Sequence, residues 1–172
     1  VDLGGAMGRI LAEDIMAPAN SPPHANSAID GYGYLGIQSE DNEVIRLSLM
    51  RGRAAAGHPL QGDVPKGYAV KVLTGAILPE GVDTVVLQED VQVEGNKIYF
   101  GNSLNLGANT RAAGEDIKRG QIIAFKQDHV TAFMAASSIS SGIKRAKVYR
   151  KLKVGVFSTG DELIDFEQPL KF

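Results

Sequence analysis

Val91-Gln-Val-Glu-Gly-Asn-Lys-Ile-Tyr-Phe100 consists of two short runs of alternating side chains joined by Gly95-Asn96. A two-residue Gly-Asn loop between such runs specifies a β-hairpin. Glycine repeats this punctuation along the chain: it supplies 20 of 172 residues, against a usual share of about 7%. Most of these glycines separate short apolar runs, which predicts many short strands joined by tight turns. Val44-Ile-Arg-Leu-Ser-Leu49, Tyr68-Ala-Val-Lys-Val-Leu73 and Thr84-Val-Val-Leu-Gln88 are further strands rich in β-branched residues. Arg9-Ile-Leu-Ala-Glu-Asp-Ile15 is the first strand, and Pro18, Pro22 and Pro23 then force an extended connection. One helix is expected from Val130, with Val130, Phe133, Met134 and Ile139 at helical spacing, Asp128 as its cap and Gly142 at its end. A second helical segment ends near Met7. The fold class is therefore mainly β with some α.

At the other end, Lys151-Leu-Lys-Val-Gly-Val-Phe157 reads as an apolar strand, and Ser158-Thr-Gly-Asp-Glu-Leu163 as the polar turn after it. In open α/β sheets such a strand end is where ligands sit, because the loop presents backbone N–H groups and polar side chains together. Eleven residues follow Asp161, fewer than the dozen or more that a crossover to a parallel neighbour requires. The expectation is a fragment whose last sheet is completed by further chain.

Composition narrows the functional classes. Hydrophobic residues at 44% and charged residues at 22% are ordinary for a globular protein. A formal net charge of −2 gives no global attraction for nucleic acid or anionic membrane. The basic run Lys144-Arg-Ala-Lys-Val-Tyr-Arg-Lys-Leu-Lys153 alternates with apolar residues like a half-exposed strand, which suits a solvated face better than a phosphate patch. The absence of Trp and an aromatic content of 6% argue against a base-stacking platform. With no cysteine, disulfides, thiolate metal sites and cysteine nucleophiles are excluded. His24, His58 and His129 lack any metal-ligand spacing. No apolar stretch approaches the roughly 18 residues that span a bilayer, and no signal-peptide pattern opens the chain, so a cytoplasmic setting is the default expectation.

Three internal segments concentrate polar residues beside glycine. In Asn26-Ser-Ala-Ile-Asp-Gly-Tyr-Gly33 the side chains could simply bond to their own backbone in a turn. Thr74-Gly-Ala-Ile-Leu-Pro-Glu-Gly81 is equally consistent with an ordinary strand-ending turn, and Arg111-Ala-Ala-Gly-Glu-Asp-Ile117 by itself is uninformative. None has the spacing of a dinucleotide fingerprint or a phosphate loop.

Taken in order, however, Gly8-Arg-Ile-Leu-Ala-Glu-Asp-Ile15, Asn26-Ser-Ala-Ile-Asp-Gly-Tyr32, Leu73-Thr-Gly-Ala-Ile-Leu-Pro-Glu-Gly81, Val85-Val-Leu-Gln-Glu-Asp90, Arg111-Ala-Ala-Gly-Glu-Asp-Ile117 and Phe157-Ser-Thr-Gly-Asp-Glu-Leu163 resemble the molybdopterin molybdenumtransferases, whose relatives include the catalytic portion of gephyrin. The resemblance implies an enzyme of molybdenum cofactor biosynthesis that inserts molybdate into adenylylated molybdopterin and releases AMP, assisted by Mg²⁺. It implies a homodimer with bifurcated or coiled sheets, whose site is shared between subunits. Residues 1–24 and 122–151 would form a discontinuous linker and dimerisation domain, 25–121 an inserted β-rich domain, and 152–172 the start of a truncated α/β domain that binds the pterin. Asp30, Thr74, Asp116 and Glu162 match the family's functional residues. Asp161 and Glu162 would hold the metal, because Mg²⁺ takes oxygen from one or two carboxylates and completes its shell with phosphate and water. Ser158, Thr159, Gly160 and Asp161 would contact the pterin nucleotide, Asp30 and Asp116 would handle metal or protons, and Thr74 would hydrogen-bond an oxyanion. The fragment by itself is expected to be inactive, and a non-catalytic dimerisation or scaffold module is the alternative. Asp161 and Glu162 could instead cap and open a helix with no chemistry at all. Tyr32 and Tyr34 are expected to be packing residues. The family usually has an acid at Ala25, Met at Ile29 and Ala at Gly33; the last two departures are expected to be harmless.

Overall fold

The computed structural model describes residues 1–36, 44–101, 104–167 and 169. Among the described residues, ten strands and one helix form in the order β1 (Ile15–Met16), β2 (Asn26–Ser27), β3 (Gly31–Tyr34), β4 (Val44–Ala54), β5 (Tyr68–Val72), β6 (Thr84–Leu87), β7 (Gln92–Glu94), β8 (Lys97–Gly101), β9 (Thr110–Arg111), β10 (Ile122–Ala124) and α1 (Ala132–Ser140). Short 3-10 turns at Leu3–Ala6 and Gln88–Asp90 complete the set. The architecture is mostly β with one α-helix.

Six strands form one sheet in the order β6-β3-β5-β4-β8-β7. All its pairings are antiparallel except β4 with β5. The Gly95-Asn96 hairpin forms as expected, with Gln92 opposite Tyr99, Val93 opposite Ile98 and Glu94 opposite Lys97. Alternation sends successive side chains to opposite faces. On one face Tyr34, Ile45, Leu47, Ala69, Val86, Ile98 and Phe100 cluster, with the Tyr34 and Phe100 rings 5.1 Å apart. On the other, Ala54, Val64, Val70, Val72, Ala76 and Val85 do the same. Burial raises the Tyr34 phenol to about 12, with the Asp83 charge adding to the effect.

Strand β3, second from one edge of the sheet, is squeezed between β5 and β6, and this fixes its glycines. A Cβ at Gly31 would collide with the Val86 carbonyl oxygen, and one at Gly33 would stand 2.7 Å from Val82 Cγ1. The stiff, β-branched Val82 fills the space that an alanine methyl at position 33 would take, so glycine fits where it stands.

A third core gathers the two ends of the chain: Leu3, Ala6, Leu11, Ile15, Ala124, Val130, Ala135 and Ala146. β1 pairs with β10, and single bridges join Asp2 to Arg145, Ile10 to His129 and Leu11 to Val148. The expected strand Arg9–Ile15 is thus reduced to bridges and a two-residue ladder, because its partners come from separate short segments rather than one long strand. Arg145 and Lys147 pair with Asp2 and Glu13, so this part of the basic run is a solvated, ion-paired face.

Two features of α1 differ from expectation. Its cap is Thr131, whose hydroxyl accepts the Met134 N–H, while Asp128 accepts from Phe125 N instead. Its buried positions are Ala135 and Ser138, and Phe133 at 82% and Ile139 at 55% exposure face outward. Small residues line the inner face because the helix lies close against the third core. The larger correction concerns the terminus: residues 151–160 carry no regular structure, and Phe157 is 91% exposed. An isolated strand has nowhere to place its backbone donors and acceptors, and among the described residues no strand pairs with this run.

Candidate functional site

The site is built where three strand ends meet. β2 pairs with β9, setting Asn26 opposite Arg111. The Ser27 hydroxyl donates to the Ile29 carbonyl at 2.7 Å and accepts from Ile29 N at 3.4 Å, so the turn reading of this loop holds at Ser27. That turn delivers Asp30 to the start of β3. The Thr74 turn is latched to the same loop: Gly75 N donates to Ser27 O at 2.8 Å, and Ser27 N to Ala76 O at 2.9 Å. Gly75, with φ of 77°, adopts the left-handed conformation that lets the chain reverse there.

Asp30 does not bond to its own backbone. Its Oδ1 accepts both the Thr74 backbone N–H at 2.7 Å and the Thr74 hydroxyl at 2.6 Å. The Thr74 hydroxyl and then its backbone N–H hold the Asp30 carboxyl below the usual carboxylate range, and the Lys71 charge adds to this. Asp30 is therefore ionised at neutral pH and acts only as an acceptor, so the Thr74 hydrogen is committed to it. The hydroxyl expected to hydrogen-bond an oxyanion donates to Asp30 in this structure.

Around the pair stand groups that the sequence reading passed over. Lys71 lies opposite Tyr32 in the ladder, and its ammonium is 4.6 Å from the centre of the Tyr32 ring. It donates to Gln88 Oε1 at 2.5 Å, while Gln88 N donates to the Asp30 carbonyl at 3.2 Å. The available signal was a single cation in an apolar strand, three residues before Thr74. As expected, Tyr34 is a packing residue, whereas Tyr32 also provides a platform for Lys71.

Asp116 belongs to a separate group. Arg111 donates to Asp116 at 2.6 Å and to Glu115 at 3.0 Å. The hydrogen bond to Glu115, then the Asp116 charge, raise the Arg111 guanidinium, and the Arg111 bond lowers Glu115. Because β9 lies beside β2, this ion cluster borders the Asp30 loop without a direct bond to Asp30. Ser158, Thr159, Gly160, Asp161 and Glu162 are exposed. Asp161 and Glu162 lie in a turn, not at the start of a helix. No hydrogen bond among the described residues joins them to Asp30, Thr74 or Asp116. Among the described residues no three carboxylate or imidazole groups stand close enough together to hold a metal.

A molybdopterin biosynthesis MoeA protein from Pyrococcus horikoshii superposes with a TM-score of 0.88 at 32% identity, covering 99% of this chain and 44% of that one. Residues 1–142 match the family described as the MoeA N-terminal region (domain I and II), and the chain belongs to that family. The molybdopterin molybdenumtransferase of Haemophilus influenzae is 39% identical over 99% of this chain, and that of a Nostoc species 32% identical over 99%. This chain spans 42% and 40% of those two relatives. Among the described residues, no helix is long and apolar enough to cross a membrane.

Proposed function

We propose that this chain is the N-terminal part of a molybdopterin molybdenumtransferase, which inserts molybdate into adenylylated molybdopterin with release of AMP. Family membership supports the class of reaction. The single observation that carries the site is the Asp30 carboxylate, ionised and fixed by two hydrogen bonds from Thr74, at the edge of the sheet. A carboxylate held in this state is suited to accept a proton or to face a cation, and its ladder neighbours orient it before substrate arrives. Asp116, tied to Arg111, is a second acid on the adjoining strand pair. Glu162 and Asp161, with Ser158, Thr159 and Gly160, serve the pterin nucleotide once the remainder of an α/β domain surrounds them.

Mg²⁺ belongs to this proposal for the whole protein only. Asp161 and Glu162, adjacent and exposed, would supply one or two carboxylate ligands, with phosphate and water completing the shell. The domain division follows the same reading. Residues 1–24 with 122–151 share one core, residues 25–121 contain the six-stranded sheet, and 152–172 begin the α/β domain. A cytoplasmic homodimer completes the proposal. Its dimerisation role is supported by the apolar side chains of Met16, Phe125, Phe133 and Ile139, all exposed on and around the third core.

The test is metal insertion by the full-length protein. Asp30→Ala and Glu162→Ala are each expected to abolish it, and the isolated 172-residue chain is expected to show none. Full activity in both variants would overturn the site, and turnover by the isolated chain would overturn its dependence on the missing domain. Sedimentation of the Phe133→Glu variant tests self-association, which should weaken.

A further inference from the structure

With the Thr74 hydrogen spent on Asp30, this edge of the sheet needs another donor for any anionic group that comes to it. Lys71 is the available one. Its ammonium carries three N–H groups, of which one reaches Gln88 Oε1 at 2.5 Å. The others are not consumed by a carboxylate: the second neighbour is the Tyr32 ring, 4.6 Å away, a neutral surface that holds a cation without discharging it. Both immediate partners are therefore neutral, and the site keeps a full positive charge beside Asp30. Arg53 stands at the register position next to Lys71 on the parallel strand β4, and it is exposed. Its neighbour Ala54 is buried with Val72 in the opposite core, which places Arg53 on the same sheet face as Lys71.

We infer that Lys71 binds an oxyanion of the substrate next to the Asp30–Thr74 pair, with Tyr32 and Gln88 as positioning residues and Arg53 widening the cationic strip. The inference rests on the proposed function and extends it to a residue with a distinct task. The ligand chemistry is a tetrahedral oxyanion, either molybdate or a phosphate of the pterin nucleotide. Asp30 beside a fixed cation also gives the site polarity: the anion is drawn to Lys71, and a proton or cation to Asp30.

The test uses the full-length protein and its Lys71→Met, Lys71→Arg and Gln88→Glu variants. Adenylylated molybdopterin is titrated in one arm and molybdate in the other, with binding read at equilibrium and melting temperature measured alongside. Lys71→Met should weaken binding about tenfold to a hundredfold in one arm, the loss expected for a hydrogen bond to a charged group. The arm affected identifies the oxyanion. Lys71→Arg should recover most of the loss. Gln88→Glu should weaken the same arm while preserving the melting temperature, because a new carboxylate neutralises Lys71 without removing it. Should Lys71→Met fail to fold, Gln88→Glu decides. Variants that bind both ligands like the wild type would overturn the inference alone, as would losses that follow a lowered melting temperature. Wild-type protein that binds neither ligand would overturn the functional reading and this inference with it.

Discussion

The turn around Asp30 and the segment from Ser158 to Glu162 are both glycine-containing, acid-bearing stretches beside a strand-like run, yet they fold differently. β3 lies between two partner strands, and its first residues are held from both sides, so Asp30 is fixed by contacts with residues 44 and 58 positions away. The run from Lys151 to Phe157 has the same apolar alternation and stays irregular, with Val156 at 84% exposure. The contrast teaches that β-propensity describes suitability for a pleated, half-buried surface and does not create that surface. A loop gains its geometry from the ladder behind it, and one of these two loops has a ladder.

The comparison can be broken most severely at the supported end. Tyr34→Ala, which empties a side chain that is 2% exposed against Phe100, should cost about 3–5 kcal/mol by chemical denaturation. Gly33→Ala should cost about 1–3 kcal/mol, as overpacking against Val82, and a Val82→Ala change in the same chain should recover part of it. Alkali probes the same region without mutation. The Tyr34 phenol is raised in the folded state to about 12 from 10.0, so its stabilising effect is complete below pH 10 and is lost as pH rises toward 12. Tyr34→Phe should flatten that part of the stability profile. Thr74→Val is a smaller, local change. It removes the hydroxyl donor, so the Asp30 carboxyl should titrate at higher pH by carbon NMR. Because the folded carboxyl is held low, its contribution is present above the unfolded value of 3.8 and is lost as pH falls through the folded one. The smallest effect belongs to the unsupported end: removing residues 152–172 should leave the melting temperature of the remaining chain unchanged.

Much of this was legible in the sequence. Gly95-Asn96 specified its hairpin, and the β-branched runs at Val44, Tyr68 and Thr84 specified strands, because those signals are local. Asp30 and Thr74 were marked by resemblance, but their bond was not readable: nothing local says that a carboxylate will accept from a turn 44 residues later. Lys71 was missed for a related reason. Its role depends on which residue lies opposite it, and register is decided by the whole sheet. The α1 cap was misplaced because Asp128 and Thr131 are both good capping residues, and only the Phe125 turn shows that Asp128 is already engaged. The terminal strand was overestimated because its apolar pattern was read without asking what would pair with it.

The pairing of β1 with β10 has a consequence for the order in which the chain assembles. Met16 and Ile122 are neighbours across that ladder although roughly a hundred residues separate them. The third core therefore cannot form from local contacts, and closing so long a loop in an unfolded chain carries a large entropic cost. Folding of the six-stranded sheet first removes most of that cost by bringing the two ends of the intervening chain near each other. The sheet that carries Asp30 is thus expected to act as the folding template for the core at the chain's two ends, with amide protection appearing in β3 and β5 before β1 and α1.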